Sequence, residues 1–143
     1  MSERERLDAL YRRTRYVVRL ALGELELTIG RADPSADERL RREAVCLRAW
    51  ALVTPCNPRS QPLSAAENAR RLGAFRDALV GAHGQPFVPA VGRDPEGDWA
   101  DEEGFLLVDP PPGLAMRLAS EWDQNAIVTG APGTAPALVW VDG

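Results

Sequence analysis

The chain has no lysine: all 17 of its basic residues are arginine, which excludes Schiff-base chemistry and a lysine general base. It also has only one histidine and two cysteines in 143 residues. A structural zinc site needs four such ligands, so no metal is expected, and nothing calls for a cofactor. No apolar run approaches the roughly 18–20 residues of a membrane span. The opening Met1-Ser2-Glu3-Arg4-Glu5-Arg6 lacks the apolar core of a signal peptide, so a cytoplasmic protein without membrane contact is expected. Basic surface is scarce as well. Residues 1–20 hold six arginines against three acids, but residues 49–143 hold six against twelve, and the net charge is -4. Without a basic stripe to neutralise phosphates, no nucleic-acid partner is expected.

What is present suits an ordinary soluble domain, with 45% hydrophobic and 27% charged residues and a length that supports one core but not two. Ser2-Glu3-Arg4-Glu5 has the form of a capping box, and Leu7, Leu10 and Tyr11 follow at helical spacing, which predicts a helix over roughly residues 3–13. The period then changes to two. Tyr16 to Leu22 reads as a strand, Gly23-Glu24 as a turn, and Leu25, Leu27 and Ile29 as the apolar face of a second strand. Asp37 to Glu43 is charged enough to be either a helical turn or a mobile crossover. Val45 to Thr54 reads as a central strand ending at Pro55. Along one extended strand Cys46 and Cys56 would stand about 33 Å apart, so both thiols should be free.

Ser64-Ala65-Ala66-Glu67 is a second capping box opening a helix whose stripe is Ala65, Ala69, Leu72, Phe75 and Leu79, and Gly81 to Gly84 ends it. Phe87 to Val91 and Phe105 to Val108 read as strands around an acidic loop from Gly92 to Glu103. Asp109 reads as the N-cap of a helix with Leu114, Leu118 and Trp122 inward, and Ala126 to Thr129 and Ala137 to Val141 as the last two strands. The expected architecture is a single α+β domain. Its mixed, mostly antiparallel sheet would have about five to seven strands, with three or four helices on one face. Residues 1–44 would hold the first helix, the hairpin and the charged crossover, and residues 45–143 the motif-bearing part.

Chemistry is expected where strand ends meet helix starts. The loop Thr54-Pro55-Cys56-Asn57-Pro58-Arg59-Ser60-Gln61 runs from the central strand to the Ser64 helix. Asn68 projects inward from the first turn of that helix, and the expected partner of its amide is the Asn57 loop, either as a clamp or as the floor of a pocket. The acidic loop carries six carboxylates, Arg93 and Trp99; a tryptophan among carboxylates predicts a loop folded back on the body as a lid. It is not a calcium loop: counted from Asp94, the position that needs glycine holds Trp99, and the position that needs an acid holds Phe105. Glu103, or second to it Glu102, could be carried inward as a general acid or base. Gln124 stands at another polar edge. His83 and Cys56 fall at opposite ends of a helix about 27 Å long, so a Cys–His hydrolase is not expected.

The strings A-L-V-T-P-C-N-P-R-S-Q and S-A-A-E-N, then V-G-R-D-P-E-G-D-W-A-D-E-E-G-F-L-L-V, then D-Q-N-A-I-V occur in that order from Ala49 onward. In this order and spacing the chain resembles the bacterial domain of unknown function 3293 family. The resemblance implies no activity, but Asn57, Ser60, Asn68, Arg93, Trp99, Glu103 and Gln124 match the family's motifs. The leading expectation is a domain that binds a small polar or anionic ligand between the Asn57 loop, the Ser64 helix start and the Trp99 loop. Asn57, Ser60, Asn68 and Gln124 would supply hydrogen bonds, Arg59 or Arg93 charge, and Trp99 a cover. The alternatives are a protein-interaction or regulatory module, meeting its partner through Arg4, Arg12, Arg13 and the Trp99 loop, and a small hydrolase-type enzyme with Glu103 as acid or base.

Overall fold

A computed structural model describes residues 1–141. Its centre is a sheet of seven strands: β1 (Arg15–Leu20), β2 (Gly23–Leu27), β3 (Trp50–Val53), β4 (Phe87–Arg93), β5 (Glu102–Val108), β6 (Ala126–Gly130) and β7 (Ala137–Trp140). The order is β2-β1-β4-β5-β3-β6-β7, and every neighbouring pair is antiparallel. The sheet curls until the loops beside its edge strands meet, with Gly30 N–H donating to the Pro136 carbonyl at 2.8 Å. The architecture is α+β, and one sheet runs through both expected segments, since β1 pairs with β4.

Four helices occur among the described residues: α1 (Glu3–Arg13), α2 (Pro34–Ala44), α3 (Ala65–Val80) and α4 (Leu114–Glu121). They do not share one face as expected. On one side Val18, Leu25, Leu52, Leu106 and Val128 form a core with Ala36 and Leu40 of α2 and with Tyr11 of α1. On the other, Ala51, Val53, Phe105, Leu107 and Ile127 pack on Phe75 and Leu79 of α3 and on Leu114 and Leu118 of α4. The strict alternation along β5, Leu106 and Val108 one way and Phe105 and Leu107 the other, is the period of two of a strand buried on both faces.

Of the two readings left open for Asp37 to Glu43 the helical one holds, extended to a regular helix started by the Asp33 carboxylate accepting from Ala36 N–H at 3.1 Å. Two other expectations are corrected. The central strand is only Trp50–Val53, because Val45 is the left-handed C-cap of α2 at φ 56° and residues 47–49 turn toward Asp109. Asp109 in turn is not a helix cap. Its carboxylate accepts the backbone N–H groups of Leu47, Arg48 and Ala49 at 3.1, 2.7 and 3.0 Å, and α4 starts instead behind a left-handed Gly113. Both thiols are free and buried. No helix among the described residues is long and apolar enough to cross a membrane.

Candidate functional site

The β4–β5 hairpin extends further than the apolar pattern suggested. Pairing continues through Val91 with Glu103 and Gly92 with Glu102, so both candidate acids lie inside a strand and point to opposite faces. Glu103 is exposed on the α3 side, in a groove it shares with Arg19, Leu72 and Arg76. Glu102 faces the interior of the curl. Its strand neighbour is Gly92, whose neighbour in turn is Tyr16, so no side chain on Gly92 stands between Glu102 and Tyr16. A Cβ on Gly92 would lie 3.6 Å from the Tyr16 ring. A hollow of about 60 Å³ results, lined by Tyr11, Tyr16, Thr54, Gly92, Glu102 and Gly104 together with apolar residues of β3, β5 and β6. That volume holds a few water molecules or the end of a small polar group.

The Asn57 loop reaches the same place. Asn57 Nδ2 donates to Glu102 Oε2 at 2.8 Å, while its Oδ1 accepts from Asn68 Nδ2 at 2.8 Å and from Leu63 N–H at 3.0 Å. Asn68 Oδ1 accepts from Asn57 N–H at 3.0 Å, so the two amides form the clamp expected between helix and loop. The loop is strained: Asn57, Arg59 and Ser60 all take left-handed φ values between 47 and 59° although none is glycine. Four side chains hold it. Buried Gln124 donates to the Cys56 carbonyl at 3.0 Å, Arg71 donates to the Pro55 and Trp122 carbonyls, Asn125 donates to Ser60 Oγ at 2.8 Å, and Arg59 meets Asp123 at 3.3 Å.

Electrostatics single out Glu102. Burial pushes its carboxyl up to about 7, opposed only by the Asn57 hydrogen bond. Among the described residues no arginine pairs with it, although arginine is abundant in this chain. Among the described residues no fully buried side-chain oxygen lacks a partner. Oε1, which accepts no bond from another described residue, is therefore not fully buried. The groups around it stay neutral near pH 7. Burial pushes Tyr11 up to about 12 and Tyr16 further still, and pushes the Cys56 thiol up to about 11.

The Trp99 loop and Ser60 border a second space, an open cleft of about 520 Å³ against α1, lined also by Arg6, Leu10, Arg13, Pro62 and Asp98. Trp99 is half-buried there. Arg13 fastens α1 to this loop through a two-pronged contact with Asp94, 2.9 Å at each oxygen, and further contacts to Glu96 and Asp98. Arg93 is drawn to Asp101 at 3.4 Å, and Arg12 to Asp8 at 2.6 Å.

The structure thus brings Asn57, Asn68 and Glu102 together. Gln124 and Ser60 support the loop, Trp99 borders the separate cleft, and Arg59, Arg93 and Glu103 lie at the surface. Sequence reasoning missed Tyr11 and Tyr16 as lining residues, because both were read only as apolar positions of the first helix and the first strand; Thr54 belongs to the loop already singled out. The signal that could have found them is Gly92 beside alternating apolar positions, a gap on one strand face.

No group of three or more potential metal ligands occurs among the described residues. No curated protein and no solved structure matches the chain. The family model described as Protein of unknown function (DUF3293) matches residues 53–127, which is 75 of the 143 residues. That span runs from the end of β3 through the Asn57 loop and Glu102 to the start of β6, and on this match the chain belongs to the DUF3293 family.

Proposed function

We propose that the protein binds a small polar ligand, with the Glu102 hollow as its recognition point and α1 as its cover. One observation carries the reading: a desolvated carboxyl group, with one hydrogen bond and no counter-ion among the described residues, borders a space of about 60 Å³. Buried carboxylates are normally paired or fully hydrogen-bonded, and those that are not concentrate at binding and catalytic sites. The strained Asn57 loop supports the same reading, since it aims Nδ2 at this group. Arg59 and Arg93 are both engaged by acids, which favours a ligand that donates hydrogen bonds over one that needs a cation.

A second reading, acid–base catalysis, is favoured by the same carboxyl, whose value of about 7 suits proton transfer at neutral pH. It assigns the role to Glu102, not to Glu103. The test of the binding reading is a thermal-shift screen of small polar metabolites on the native chain and on E102Q. A ligand of the native state raises the melting temperature in proportion to occupancy, and E102Q should lose that rise. A panel that shifts neither protein, or both equally, rejects the reading.

A further inference from the structure

We propose that the hollow receives the ammonium end of a small amine, with the Glu102 carboxylate as its counter-ion and Tyr11, Tyr16 and Thr54 as its walls. The inference rests on the binding reading above and adds the chemical class of the ligand. Among the described residues Glu102 is the one carboxyl bordering this space, and no arginine borders it. The apolar side chains on its face of the sheet, Leu52, Ala90 and Val128, offer an anion nothing to bind. Asn57 Nδ2 already occupies one carboxylate oxygen as a donor and leaves Oε1 for a second donor. An ammonium supplies both the hydrogen bond and the missing positive charge, and the small volume limits the buried part to a head group such as ammonium or methylammonium.

The pH dependence follows from the groups that face Glu102. Tyr11 from α1, Tyr16 from β1 and the Cys56 thiol from the loop after β3 are all neutral near pH 7, and β4 contributes only Ala90, Val91 and Gly92. Glu102 is therefore the titrating group. A cation beside it draws its carboxyl down from about 7, so binding near neutrality releases a proton to the buffer.

Methylammonium chloride titrated into the full chain at constant ionic strength, followed by amide NMR, tests this. The expected result is a saturable shift of the Gly92, Gly104 and Tyr16 amides. In calorimetry the heat should depend on the ionisation enthalpy of the buffer near pH 7, and this dependence should vanish by pH 9. E102Q, which keeps an acceptor for Asn57, should weaken binding at least tenfold. Proton release is read on the wild-type chain, so the inference stays testable even if the variant folds poorly. Equal shifts with formamide or methanol at the same amides, without proton release, overturn the amine assignment while the polar-ligand reading stands. No saturable shift with cationic or neutral probes overturns both.

Discussion

Two carboxylates at opposite ends of β5 contrast in a useful way. Asp109, just past the strand's last residue, pays a desolvation penalty that three backbone N–H groups and Arg48 outweigh, so its carboxyl sits below the ordinary value. Glu102, the strand's first residue, is likewise desolvated but receives one hydrogen bond from Asn57, and burial prevails. The first carboxylate is satisfied and fixes a backbone shape. It holds residues 47–49 in a turn that follows a left-handed Val45, a conformation that disfavours a β-branched side chain by about 1–3 kcal/mol. The second is left wanting a partner. Asp109 is shallow and has several donors, whereas Glu102 is deep and has one, so donor number and depth of burial together separate a structural carboxylate from a candidate binding group.

The contrast can be broken most severely at Asp109. Asp109→Ala removes the acceptor for three N–H groups and should cost about 2–3 kcal/mol in urea unfolding at pH 7. Because its folded value is depressed below 3.8, this contribution is complete above about pH 4 and fades as pH falls through the folded value. The variant and wild type should therefore converge in strong acid. A cost below about 0.5 kcal/mol at pH 7 would show that the loop holds itself.

The opposite sign is expected at the other end. Glu102 is raised from 4.5 to about 7, so the folded state holds a proton that the unfolded chain releases, and stability declines as pH rises between those values. Glu102→Gln should remove the decline and be more stable than wild type by about 1–3 kcal/mol at pH 8, with no difference at pH 4. Destabilisation at pH 8 would place an undetected partner on the carboxylate. The smallest effect belongs to Glu103→Gln, where an exposed side chain is changed on the other face; its stability should stay within about 0.5 kcal/mol of wild type at either pH. A larger effect would put the important acid one residue later.

Much of this was legible from residues with strong local preferences. Ser2 as an N-cap and the capping box at Ser64 open α1 and α3 where expected. The Asn68 amide meets Asn57 because a polar side chain on the inner side of a helix must find partners close by. Val45 to Ala49 failed as a strand although it looks apolar: Val45 and Leu47 are exposed, and a carboxylate 60 residues away bends that segment. Glu102 and Glu103 could not be told apart because both precede an apolar run. Which one faces inward depends on where the hairpin pairing ends, and a one-residue change in face exchanges their surroundings.

The sequence alone determined the chemical inventory: abundant arginine, little histidine and cysteine, alternating strands and two well-capped helices. Those are properties of composition and short-range periodicity. Only the tertiary structure decided that the sheet curls, that Gly92 leaves a gap before Tyr16, and that Tyr11 of α1 lines the hollow formed there. Burial and charge compensation depend on residues far apart in the chain, and for Glu102 they exist only once those residues have met.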